Sequence, residues 1–174
     1  MMDRCAECGF DPGDLARRDV PVAVRAFGRR YRAPLTRGLP GEDLDELVRR
    51  SPSPDVWSAL AYGGHVVDIF GVFDERVRAA LDGREPEELV VDWEGKVAAA
   101  APTLDRDRVL ADLAEAADTL AMTLAEVDDA EWGLPGYNGK GERVTVADLA
   151  TIAVHEGSHH LLDVGRVLRT VRGR

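Results

Sequence analysis

Three of the chain's four histidines fall in one short stretch, His155-Glu156-Gly157-Ser158-His159-His160, and its only two cysteines, Cys5 and Cys8, are spaced C-x-x-C. Imidazole, thiolate and carboxylate are the side chains that hold transition metals, so these spacings raise metal chemistry before any other. On a helix turning about 100° per residue, Val146, Ile152, Ala153, Val164 and Val167 lie within about 60° of Leu149 and mark an apolar face. Glu156 and His160, four residues apart, fall within about 20° of the same direction. His155 and His159 are also four apart, but their pair is centred about 100° away, at the edge of that face.

A carboxylate and an imidazole in an apolar stripe are costly unless they are paired or bind an ion. A histidine bonded to a glutamate would satisfy that requirement without any metal. A second helix offers a further imidazole, however: His65 lies within the arc of Ala61, Ile69 and Val72. Two histidines and a carboxylate from two helices make a facial site with open coordination positions. His65, Glu156 and His160 are therefore the candidate ligands of a divalent metal. Asp68, three residues after His65, and Asp163, three after His160 and four after His159, are placed to orient imidazoles from behind.

Residues 155–159 also spell H-E-x-x-H, the zinc-protease pattern of two ligands and a general base. No histidine or glutamate follows His160 to serve as the usual third ligand, so a protease is not the expectation. The C-x-x-C pair suggests half of a zinc knuckle or a redox pair. No βαβ pattern follows it, which weighs against a thioredoxin-like site. Cys5 and Cys8 with His155 and His159 would complete a Cys2His2 set tying an N-terminal arm to the last helix. A free thiol pair beside two surface histidines is the alternative.

The elements that must position these groups are helical. Residues 1–18, with Gly9, Pro12 and Gly13, read as an irregular arm. Val22, Val24, Ala26, Phe27 and Tyr31 predict a helix from Val20 to about Arg32, and Leu44 and Leu47 a short one over 42–50. Ser53 followed by Pro54 reads as an N-cap with proline at the first helical position, opening a helix that runs past His65 to Leu81 and stops at Gly83. Residues 84–103 are mixed, with Trp93 as the one strong anchor and strand-like alternation only over Glu88–Val91. Leu110, Leu113, Ala117, Leu120 and Leu124 predict a helix over 104–127. Asp128–Arg143, rich in glycine, reads as a loop. Thr145 caps the last helix, with Asp148 as the acidic half of a capping box, and that helix reaches about Arg169. The expected architecture is all-α, a four-helix bundle in one domain over residues 1–174, with metal ligands projecting inward from facing helices.

Composition narrows the functions. A net charge of −10 repels phosphate backbones, so no nucleic-acid partner is expected. The one basic cluster, Arg25, Arg29, Arg30 and Arg32, reads as a solvated helix face. No apolar run approaches 18 residues and no secretory signal is visible, so the expectation is a cytoplasmic protein without a membrane partner. Pairing of two copies into a homodimer is left open.

Several short motifs, taken in order, resemble the DinB-like (YfiT-like) superfamily. Trp57-Ser58 followed by His65-Val66-Val67-Asp68 resembles its second-helix signature, in which a tryptophan precedes a metal-binding histidine by eight residues. Trp132 to Pro135, Val144-Thr145-Val146 and the final helix with His159-His160 resemble its closing segment. Cys5-x-x-Cys8-Gly9-Phe10-Asp11 and Arg30-Tyr31-Arg32-Ala33-Pro34-Leu35 are similar to actinobacterial members. The resemblance implies three metal ligands, one on helix two and two on the last helix four apart. They fall on His65 and His160, with the remaining position on Glu156 where the family has histidine. A competing assignment takes His65 with His155 and His159. The resemblance further implies a metal-dependent enzyme, first a low-molecular-weight-thiol (mycothiol-type) S-transferase acting on small electrophiles. A metal-dependent hydrolase, or a non-enzymatic metal-binding structural or stress protein, are the alternatives. Zinc is the expected ion, with nickel, iron and manganese also compatible with a carboxylate ligand, and Trp57, Tyr62 and Asp68 are candidate pocket residues. The family's name, taken from DNA-damage induction, implies no chemistry on DNA.

Overall fold

The computed structural model describes residues 2–173; the outermost residue at each end of the expected domain lies outside them. Six helices and one small hairpin follow in the order α1 (Val20–Thr36), α2 (Leu44–Arg49), α3 (Ala59–Leu81), α4 (Trp93–Ala100), α5 (Arg106–Ala125), β1 (Pro135–Tyr137), β2 (Arg143–Thr145) and α6 (Val146–Val171). Short 3-10 turns at Pro12–Asp14 and Arg17–Asp19 give the N-terminal arm what regularity it has.

The four long helices form the bundle, and their order around it places His65. Helix α1 packs against α5 and α6, and α3 packs against the same two. Helices α1 and α3, consecutive long helices in the chain, are therefore diagonal across the bundle, as are α5 and α6. An up-down bundle with short loops would make them neighbours. Here the connections carry structure of their own: α2 between α1 and α3, α4 between α3 and α5, and the hairpin between α5 and α6. The consequence is that α3 lies directly beside α6, which brings His65 to the histidine stretch.

The core follows from helical spacing. Val24, Phe27, Tyr31 and Leu35 from α1 are fully buried, together with Leu113, Ala117 and Leu120 from α5 and Val146, Leu149 and Ala153 from α6. Burying a side chain of the Val, Leu or Phe type contributes about 1.5–3 kcal/mol, so this stripe dominates the fold's stability. Val22, counted with the apolar positions of the first helix, is instead exposed. Helices α1 and α6 are in tight contact at Gly157, where an added Cβ would lie 2.7 Å from the Phe27 ring. The Tyr31 hydroxyl donates to the Gly157 carbonyl at 2.9 Å across the same contact.

Helix ends are set by side-chain caps. Asp105 accepts from the Arg108 amide, and Thr145 with Asp148 forms the expected capping box. The start of α3 differs from the sequence reading: Ser58, not Ser53, caps it, accepting from the Ala61 amide at 3.1 Å. Ser53 and Pro54 belong to a turn closed by an antiparallel bridge between Ser53 and Val56. Proline after serine suits a turn as well as a helix start, so the local signal could not separate the two. Helix α1 also continues through Pro34 to Thr36, four residues beyond the expected end. The glycine-rich loop contains β1 and the first residue of β2, and residues 84–103 contain α4, capped by Asp92 at the Gly95 amide.

One buried cation holds the irregular part in place. Arg76 on α3 is 1% exposed and donates to the carbonyls of Tyr137, Asn138, Glu88 and Leu89. It thereby clamps the hairpin and the strand-like segment 88–91 to the bundle. Val90 bridges Lys140, and the Val91 amide donates to the Gly139 carbonyl.

Candidate metal centre and pocket

The clamped segments form one wall of a cavity of about 500 Å3 beside α3 and α6. His65, Ile69, Phe73, Trp93, Lys140, Ile152 and Glu156 are among its lining residues. His65 is 5% exposed and ringed by aromatic groups: Trp57 at 5.0 Å, Trp93 at 5.2 Å and His160 at 4.9 Å between ring centroids. Its Nδ1 is buried and has no hydrogen-bond partner. Burial, aided by repulsion from His160 and opposed by Glu156, pushes its pKa down to about 4. The ring is thus neutral at pH 7 and keeps a lone pair for an electrophile.

His160 faces the other way electrostatically. Burial pulls its pKa down, but hydrogen bonds and charge from Asp163 and Glu156 outweigh that and raise it to about 9. Its Nδ1 lies 3.1 Å from Asp163 Oδ2, and its Nε2 lies 3.3 Å from Glu156 Oε2. A carboxylate behind one ring nitrogen fixes the ring's orientation and makes the opposite nitrogen a better donor to a cation. Glu156 is held ionised: burial opposes the charge, but bonds from His155 Nδ1, at 3.0 Å, and from His160 more than compensate. Tyr62 completes the surround, its ring 5.4 Å from His160 and 5.2 Å from Trp57.

The structure therefore puts His65 and Glu156 on the cavity wall, with His160 packed against both. The donor set fits a divalent ion by its chemistry, with two imidazoles, one ionised carboxylate and an unpartnered buried nitrogen. It is looser than a second group. Among the described residues, one group of three or more potential ligands has its donor atoms all within 4.8 Å of one another: Cys5, Cys8, His155 and His159. At the cavity corner Glu156 is instead engaged by the two histidines flanking it. His155 and His159 turn toward the arm, and no ring contact or hydrogen bond joins either to His65 among the described residues.

Asp68 stands apart from the arrangement expected for it. It lines a small crevice on the far side of α3 from the main cavity, together with His65, Val97, Leu104 and Asp112, but makes no hydrogen bond to His65 among the described residues. Burial raises its carboxyl pKa, with Lys96 opposing. Trp93, Lys140 and Arg76 were not singled out as site residues from sequence. Trp93 was visible only as a hydrophobic anchor, and the roles of Lys140 and Arg76 depend on a hairpin that the sequence read as loop.

A diagonal four-helix bundle with an inward His/Glu corner defines a class, and the sequence matches it. Residues 29–164 match the model of the DinB superfamily, and the chain belongs to that superfamily. The fold is similar to YfiT from Bacillus subtilis, described as a probable metal-dependent hydrolase with an unusual four-helix bundle topology. That match has a TM-score of 0.73 and 13% identity, and covers 92% of each chain. It is also similar to a mycothiol-dependent maleylpyruvate isomerase, with a TM-score of 0.70 and 18% identity over 88% of this chain and 62% of that one. No curated protein sequence matches the chain.

Proposed function

We propose that this protein is a metal-dependent enzyme in which His65, Glu156 and His160 hold a divalent ion, and that it transfers a low-molecular-weight thiol to a small electrophile. The observation that carries the proposal is the neutral, buried His65, whose Nδ1 has no partner, at the wall of a cavity large enough for a small molecule. Zinc is the ion chosen, and the Glu156 oxygen also admits nickel, iron or manganese. When bound, such an ion supplies Lewis acidity that favours the deprotonated form of a thiol at neutral pH.

The chain's own residues do the rest. Asp163 keeps the His160 ring in register. Trp57, Trp93 and Tyr62 exclude water from the imidazole corner. Ile69, Phe73 and Ile152 give the cavity apolar walls, and Lys140 adds one cation. With Glu156 committed to the metal corner, an apolar chamber carrying the Lys140 cation suits a small anionic electrophile or an acidic group of the cosubstrate. The family membership and the mycothiol-dependent neighbour support a thiol as cosubstrate. Among the described residues, no helix is long and apolar enough to cross a membrane, in keeping with a small-molecule substrate in an aqueous compartment such as the cytoplasm.

The test is an assay of the zinc-loaded protein against a panel of small electrophiles, with and without a low-molecular-weight thiol. Product that forms only with thiol, and is lost in His65→Ala, is the expected result. Product that forms equally without thiol would make the protein a hydrolase using the same ligands. Full activity in His65→Ala would overturn the site itself.

A further inference from the structure

The second group lies outside the cavity and is not used by the proposed reaction. The arm brings its thiols to α6 through a tight turn. The Cys5 amide donates to the Phe10 carbonyl at 2.9 Å, and the Gly9 amide to the Cys5 carbonyl at 3.0 Å. Gly9 has φ +74°, a left-handed conformation that side chains disfavour. Both cysteines are free and half-buried. Cys5 Sγ lies 3.6 Å from His159 Nδ1. In a tetrahedron with metal–sulfur bonds of about 2.3 Å and metal–nitrogen bonds of about 2.0–2.1 Å, the S···N edge is about 3.6 Å. His155 Nε2 is buried with no hydrogen-bond partner, while its Nδ1 is engaged by Glu156. The one free lone pair of that ring therefore belongs to Nε2. His159 Nε2 faces Asp163 and Glu7, at 3.8 and 4.0 Å, which leaves its Nδ1 for the thiol side.

We propose that Cys5, Cys8, His155 and His159 form a closed tetrahedral metal site of the structural zinc type, which pins the N-terminal arm onto α6. Four protein ligands fill the coordination shell, so the site carries no open position and is not a second reaction centre. Both half-sites are short-range features, a turn on one side and one helical repeat on the other. A cation neutralising two thiolates at their junction holds 150 residues of intervening chain in one closed loop, to within a few residues. The Arg166–Glu7 ion pair, at 3.0 Å, is a weaker tie between the same two segments.

Cobalt(II) titration of the reduced, metal-free, full-length protein tests this. The expected result is a near-ultraviolet thiolate-to-cobalt charge-transfer band with intense tetrahedral visible bands, reaching at saturation the amplitude of one thiolate-bound cobalt per chain and displaced by zinc. The corner formed by His65, Glu156 and His160 contains no sulfur, so the charge-transfer band reports on the arm site alone. It should persist in His65→Ala and vanish in the Cys5→Ser/Cys8→Ser double variant. A wild-type protein without the band, or a double variant that keeps it, overturns the proposal. Should the double variant fail to fold, the wild-type spectrum and zinc-dependent protection of the arm from proteolysis decide the matter. An arm cleaved equally fast with and without zinc would also overturn the pinning role.

Discussion

Two pairs of candidate metal ligands occupy the same stretch of α6, one register apart, and meet opposite surroundings. Glu156 and His160 look toward α3, where Glu156 lines the open cavity and the His160 ring packs 4.9 Å from His65. His155 and His159 look toward the arm, where the thiols of Cys5 and Cys8 gather with them into one compact group of donor atoms. The difference teaches that neither the residue types nor their i, i+4 spacing separates an open site from a closed one. What separates them is which element packs against each face: a neighbouring helix that leaves a chamber, or a turn that fills it. The two groups are not independent. Glu156 accepts from His155, and the Asp163 carboxylate lies 3.1 Å from His160 and 3.8 Å from His159. One carboxylate thus stands behind an imidazole of each set.

The comparison is broken most severely by deleting the one ligand that belongs wholly to the open side. His65→Ala is expected to abolish metal binding at the cavity and reduce activity by more than about a hundredfold, beyond the loss caused by removing an outer-shell partner. Elemental analysis should show the thiol-side metal retained. Asp163→Asn sharpens the contrast because it touches both sets. Metal affinity should fall at each by about 10–100-fold, measured by competition with a chromophoric chelator. A loss confined to one site would mean that the carboxylate serves only that site.

Cys5→Ser/Cys8→Ser acts on the closed side. A site filled at a hundred times its Kd contributes about 2.7 kcal/mol. Its loss should lower Tm by about 5–10 °C in the zinc-loaded protein, while the unloaded proteins melt together. Gly157→Ala probes the helix that carries both pairs. The added methyl meets Phe27 at less than contact distance, so a destabilisation of about 1–3 kcal/mol is expected from denaturant unfolding. The smallest effect belongs to Lys140→Ala, at the cavity wall. KM for an anionic substrate should rise several-fold with kcat nearly unchanged, the signature of lost uniform binding.

The sequence by itself determined the helices and much of the cluster. The apolar repeat of α5 and the capping box of α6 are local patterns, set by hydrogen bonds and side-chain spacing within a few residues, and they appear where the sequence placed them. The outward and inward directions of the two i, i+4 pairs follow from the same geometry. Tertiary structure alone decided the rest. The choice between Ser53 and Ser58 as cap turned on a β-bridge and on where Trp57 could pack. That Asp68 shares a crevice with His65 without bonding to it depended on α4 and α5 covering that face of α3. The chamber wall depended on Arg76, whose partners are main-chain carbonyls 12 to 62 residues away, and backbone carbonyls leave no trace in a residue pattern. Local propensity fixes which way a side chain leaves its helix; only the packing of distant segments fixes what it meets there.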